Sequence, residues 1–96
     1  MIKASEIEKT LSLIKPMLAK KFFVKKIGYF GSFAKGNQTK NSDLDILVEF
    51  SKTPGWNFFT LEKLFEDTFG RKIDLVTKSA LKKQLRNTIL KQVKYV

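Results

Sequence analysis

Apolar positions along this chain change period several times, and each change marks an element. Ile7, Leu11, Ile14 and Leu18 recur at helical spacing, which sets them on one face of an amphipathic helix. Ser5, followed by Glu8, fits a capping box at its start. Pro16 falls inside this stretch. It has no N–H and crowds the preceding turn, so a kink or a split into two pieces is expected there. Residues 24–30 read as a strand, with Gly31-Ser32 as the turn that closes it. A short helical turn over 32–35 and a polar loop over 36–41 follow. Residues 44–50 form a second strand, which Thr53-Pro54-Gly55 breaks. Phe58, Leu61, Leu64, Phe65 and Phe69 then mark a long helix that ends at Gly70. Residues 72–77 make a third strand. Ser79 is placed to cap a last helix, with Leu81, Leu85 and Ile89 on one face and Lys82, Lys83 and Arg86 on the other. The order is α-β-(short α)-β-α-β-α. The stretch from Asp43 to Thr77 has the length of a strand-helix-strand crossover, which makes its two strands parallel.

Composition narrows the possibilities. The 96 residues suit one small domain spanning 1–96. A hydrophobic fraction of 43%, with nine Phe, argues against disorder. No apolar run approaches the roughly 20 residues of a spanning helix. The N-terminal residues 1–6 enter a polar, amphipathic pattern unlike a signal peptide, so a cytoplasmic location is expected. Cysteine is absent, which excludes disulfides and thiolate metal sites. Histidine is absent too, which removes the usual zinc ligands and the commonest general base. Carboxylates remain, and they favour a hard cation such as magnesium. The net charge of +10, from 19 Lys and Arg against 9 Asp and Glu, favours anionic partners.

Against that background the acids stand out. Gly31-Ser32 is followed, after ten residues, by Asp43-Leu44-Asp45, and Asp74 interrupts the apolar run Ile73-Asp74-Leu75-Val76. A carboxylate buried without a partner is costly, and a polyvalent cation relieves that cost. Residues two apart on a strand share a face, so Asp43 and Asp45 point together with Cα atoms about 6–7 Å apart. Asp74 joins them if its strand lies alongside with the same parity. Such a set can hold one cation, or two that clamp the attacking and leaving oxygens of an in-line displacement. Asp74 is the candidate to take the proton from the attacking hydroxyl. Gly31 permits close backbone approach, Ser32 opens a turn with free N–H groups, and Lys35 adds a charge one turn on, a combination suited to phosphate. Each piece has a plainer reading. Asp43 can be a solvated turn residue, Lys35 a surface lysine, and Asp74 the partner of Lys72 or Arg71 across an edge.

Three segments carry a further signal. They are residues 29–36 around Gly31-Ser32, residues 42–50 around Asp43-Leu44-Asp45, and residues 71–77 around Asp74. Together they resemble the nucleotidyltransferase superfamily that includes DNA polymerase β, and within it the minimal nucleotidyltransferases of prokaryotes, the MNT group. The resemblance implies an α/β (α+β) fold, with a small mixed sheet flanked by helices. It implies that Gly31 and Ser32 hold the triphosphate of a nucleotide, ATP being the expected one. It implies that Asp43 and Asp45 bind magnesium and that Asp74 completes the triad, with two ions present beside bound nucleotide. Lys35 stands where the group usually has Arg; it keeps the charge and loses the planar fork. Many MNT proteins are antitoxins paired with a HEPN-family ribonuclease toxin, which some inactivate by moving AMP onto a tyrosine. A HEPN-family protein is therefore the implied partner.

Two other functions compete. The domain can mask a toxin without turnover, or bind nucleic acid through Lys82, Lys83, Arg86 and Lys94. No aromatic residue sits on that helix face to stack bases. Trp56, Phe58 and Phe59 come early in a helix, where core packing is expected for at least two and a partner surface for the remainder.

Overall fold

A computed structural model describes residues 2–96. In chain order it comprises α1 (Ala4–Phe22), β1 (Val24–Phe30), α2 (Ser32–Lys35), β2 (Leu44–Phe50), α3 (Asn57–Phe69), β3 (Ile73–Thr77), a 3₁₀ turn (Lys78–Ala80), α4 (Lys83–Gln92) and β4 (Lys94–Tyr95). The four strands form one sheet in the order β3-β2-β1-β4. β2 and β3 run parallel, as the crossover requires, and the pairs β1–β2 and β1–β4 are antiparallel. The sheet is therefore mixed.

Alternation along the strands sorts the residues into two layers. Val24, Ile27, Tyr29, Leu44, Ile46, Val48, Ile73 and Leu75 pack with Ile7, Leu11 and Leu18 of α1 and with Leu61 and Phe65 of α3 in the main core. The opposite face carries a smaller cluster, in which Phe30, Leu47 and Leu81 are buried against Val76, Ile89, Leu90 and Val93. α3 stops at Gly70, whose φ of +63° suits a residue without Cβ, and its N–H donates to the Glu66 carbonyl at 2.8 Å.

Several details depart from the sequence-based expectations. α1 begins with Lys3 as its cap, and the Lys3 N–H donates to Glu6 Oε1 at 3.3 Å. Glu6 therefore does the work assigned to Glu8, and Ser5 lies inside the first turn. Pro16 does not split the helix, which continues through all 19 residues. Pro16 is on the exposed side, and so is Ser12, whose carbonyl the proline leaves unbonded; water can satisfy it there. Ser79 does not cap the last helix. It lies in the 3₁₀ turn, which the Thr77 hydroxyl caps by accepting from the Ala80 N–H, and α4 starts only at Lys83. The inward stripe of α4 is consequently Arg86, Ile89 and Leu90, continued by Val93 just after the helix, while Leu85 is left 51% exposed. Of the three early aromatics only Phe58 reaches the core; Trp56 and Phe59 are 85% and 60% exposed. Strand β4 carries no signal in the apolar pattern of the sequence. It closes on Gly28, where a Cβ would meet Lys94 O at 2.8 Å and Val93 Cγ1 at 2.7 Å, so glycine is what lets the last strand approach.

Candidate functional site

The acids gather at one end of the face opposite α1 and α3. β2 and β3 are paired so that Asp45 lies directly opposite Asp74. Cross-strand partners share a face, so the two carboxyl groups project together. Asp43 is two residues before Asp45, on the same side and just ahead of the strand. The environment of Asp45 reports this convergence. Burial, then the charge and hydrogen bond of Asp74, and lastly the charge of Asp43 push its carboxyl up to about 6. Asp43 and Asp74 are exposed, and Asp45 is half-buried between them.

The Gly31-Ser32 turn closes against the same carboxylate. Phe30 is the partner of Asp45 across β1–β2, so the chain leaves β1 beside that residue. Gly31 has φ +70° and ψ −145°, a region nearly restricted to glycine. A Cβ at Gly31 would collide with the Asp45 carboxylate and would lie 3.1 Å from its Cγ. The Gly31 carbonyl accepts from the Ala34 and Lys35 N–H groups, which starts α2 with Ser32 at its head. The N–H groups of Ser32 and Phe33 precede any partner within that turn. Lys35 is exposed at the far end of α2. Thus Gly31, Ser32, Asp43, Asp45 and Asp74 come together, and Lys35 stays at the margin.

Asp74 does not pair with Lys72 or Arg71. Among the described residues the side-chain ion pair is Lys63–Asp67, at 3.1 Å on the surface of α3. Arg71 instead donates from Nη1 to the Ser42 carbonyl at 3.1 Å, and its guanidinium carbon lies 5.1 Å from the centroid of the Phe33 ring. The sequence alone marks Arg71 only as a candidate partner of Asp74. Its place directly after the helix-ending Gly70 and three residues before Asp74 was the available signal.

A cleft of about 640 Å³ lies elsewhere, at the far ends of β2 and β3, lined by residues such as Glu49, Lys52, Thr77 and Arg86. It includes none of the three acids. What distinguishes the acid end is a pair of carboxylates set opposite each other in register, beside the Gly31 turn.

A family profile described as a nucleotidyltransferase domain matches residues 6–96. The chain belongs to that family. It is 41% identical over 97 aligned positions to the protein adenylyltransferase MntA of Thermococcus cleftensis, covering 100% of this chain and 98% of the relative. A solved minimal nucleotidyltransferase superposes with a TM-score of 0.82 at 23% identity, over 97% of this chain and 95% of the other. A toxin-antitoxin structure with AMP-PNP superposes with a TM-score of 0.72 at 26% identity, over 88% of this chain and 69% of the other. The protein is thus a nucleotidyltransferase by family and by fold, and its mixed sheet flanked by helices is the fold of that group.

The donor set fits a divalent ion. Oxygen ligands alone are available, burial together with the neighbouring Asp74 carboxylate raises the affinity of Asp45 for protons, and a cation there would remove the repulsion between the two. Among the described residues no group of three or more carboxylates is placed to hold a metal ion. Asp45 and Asp74 are the preformed pair, and Asp43 stands at its edge. No helix of the described residues is long and apolar enough to cross a membrane.

Proposed function

We propose that residues 1–96 act as one minimal nucleotidyltransferase domain that moves AMP from ATP onto a hydroxyl of a partner protein. The observation that carries this reading is the register of Asp45 opposite Asp74, with the Gly31 turn closed on the same carboxylate. Asp43, Asp45 and Asp74 would hold magnesium, two ions when nucleotide is present. The metal, when bound, neutralises charge on the triphosphate and on the departing pyrophosphate. Gly31 lets the backbone approach the triphosphate, and Ser32 donates to it from its N–H and hydroxyl. Lys35 supplies a point charge from the margin. Asp74, exposed at the edge of the pair, accepts the proton of the attacking hydroxyl. That oxygen forms a bond to the α-phosphorus, the bond to the bridging oxygen breaks, and pyrophosphate leaves.

The partner is a HEPN-family toxin, as the resemblance implies. The structural similarity to a toxin-antitoxin protein with AMP-PNP supports both nucleotide and partner. So does the 41% identity to a protein adenylyltransferase. The test is incubation with labelled ATP, magnesium and the product of the adjacent gene. Label is expected on the partner and not with Asp43→Asn or Asp74→Asn; an unlabelled partner beside a working control enzyme overturns the reading. Masking without turnover is the second reading. It is favoured by the exposed pair Trp56 and Phe59, whose ring centroids are 6.1 Å apart. Equal rescue of growth by the Asp43→Asn/Asp45→Asn double variant would establish masking.

A further inference from the structure

We infer that Arg71 is a positioning residue: one guanidinium ties the Gly31-Ser32 turn to the loop that carries Asp43. The inference rests on the nucleotidyl-transfer reading of this site.

Three pieces of backbone meet at this side chain. Its Nη1 donates to the carbonyl of Ser42, the residue immediately before Asp43, at 3.1 Å. Its guanidinium carbon lies over the ring of Phe33, the residue immediately after Ser32, at 5.1 Å from the centroid. Its own backbone leads directly into β3, which bears Asp74. The Nε atom is buried and makes no hydrogen bond to the protein, so the guanidinium is drawn inward and is not spread on the surface.

The loop before Asp43 has few other anchors. Residues 39–42 bond to one another: the Ser42 N–H donates to Thr39 O at 3.1 Å, and the Thr39 N–H donates to Ser42 Oγ at 2.8 Å. These bonds shape the turn but do not attach it to the body. Attachment begins at Leu44, whose N–H donates to the Lys72 carbonyl at 3.1 Å. Asp43 therefore sits between two ties, the ladder bond at Leu44 and the Arg71 bond at Ser42. Releasing the second lets the Asp43 carboxylate swing about the end of β2, while Asp45 and Asp74 stay locked in register.

Phe33 supplies the other end of the tie. It is 1% exposed and packed in the main core, so the ring is a fixed platform. Arginine suits this place better than lysine, because a planar cation can lie on a ring and donate in its own plane at once. An ammonium can reach the Ser42 carbonyl or the ring face, but not both with good geometry.

The experiment compares wild type with R71M and R71K in three measurements: melting temperature, amide exchange by NMR, and AMP transfer at saturating nucleotide alongside calorimetric affinity for magnesium AMP-PNP. R71M should stay folded. Exchange at the Ser42 and Leu44 amides should rise about tenfold, with Ile46 and Val48 unchanged. Transfer should fall about tenfold to a hundredfold, while nucleotide affinity changes by less than about threefold. R71K should fall between. Wild-type exchange at Ser42 and Leu44 in R71M overturns the tie, as does an undiminished transfer rate. Full activity in R71K overturns the stacked geometry. Unfolding of both variants shows a role confined to stability and overturns the inference. Absence of transfer by wild type overturns the parent reading instead, and the exchange arm then still reports on Arg71 by itself.

Discussion

The two faces of the sheet are built from the same strands and obey opposite rules. On one face Leu44, Ile46 and Val48 of β2 are fully buried under α1 and α3. On the other, Asp45, Leu47 and Glu49 alternate with them: a half-buried acid, an apolar residue under α4, and a second half-buried acid at the rim of the cleft. The first face is closed and stabilises the molecule by removing apolar surface from water. The second is closed only in the middle. Its acid end is left open, and there like charges are pressed together at a cost to the native state. A strand can serve both purposes because its side chains alternate, and a shift by one residue would exchange core for site.

The largest effect should come from the closed face. Phe65→Ala deletes a ring that is 0% exposed. It should lower stability by about 3–5 kcal/mol in urea denaturation, leaving the transfer rate per folded molecule unchanged. A comparable loss of rate per folded molecule would show that the two faces are not separable.

On the open face, Asp45→Asn should do the reverse. AMP transfer should drop on the order of a thousandfold, equivalent to about 4 kcal/mol of barrier. The melting temperature at neutral pH should hold or rise, since a repelled carboxylate has been neutralised. A lower melting temperature would mean that Asp45 supports the fold and that the division between faces is drawn wrongly.

Gly31→Ala should touch both quantities. Its Cβ meets the Asp45 carboxylate, and its backbone sits at φ +70°. A stability loss of about 1–3 kcal/mol is expected, with a larger proportional loss of transfer than of nucleotide affinity. Wild-type transfer by this variant would detach the turn from the acids.

The smallest effect is the pH dependence of stability. Asp45 has its native value raised from 3.8 to about 6, so between those values the native state holds a proton that the unfolded state has released. Stability therefore falls as pH rises through that window and levels off above about pH 6. The amplitude should be about 1–2 kcal/mol once screening of a half-buried group is allowed for. Thermal melts of wild type and Asp45→Asn across pH 4 to 7 should differ by that slope. Parallel curves would remove Asp45 as its source.

Much of the layout can be read in the residues themselves. The Gly31-Ser32 turn, the strands at 24–30 and 44–50 and the stop at Gly70 all appear where local rules set them. Glycine, apolar alternation and helical spacing each act over a few residues. Local rules did worse at helix starts. Both Ser5 and Ser79 look like caps in sequence, yet Glu6 makes the bond at the start of α1, and α4 starts at Lys82-Lys83 with no side-chain cap, Thr77 capping the 3₁₀ turn before it. Several nearby hydroxyls and carboxylates compete for the same free N–H groups, and packing of the helix behind them selects one. The aromatics show the same limit. Spacing marks Phe58 and Phe59 alike, and only the position of β2 decides that Phe58 packs inward while Phe59 faces water.

The acids divide in the same way. The parity that joins Asp43 to Asp45 is a property of one strand and is written in the spacing. That Asp74 stands opposite Asp45, that Gly31 touches that carboxylate, and that Arg71 turns to Ser42 and not to an acid depend on how separate segments are laid side by side. Strand register arises from the burial of whole faces at once, a sum over many contacts distant in the chain. Local sequence therefore specified which residues carry charge and on which side of each strand they point. The three-dimensional packing alone decided which of those charges meet.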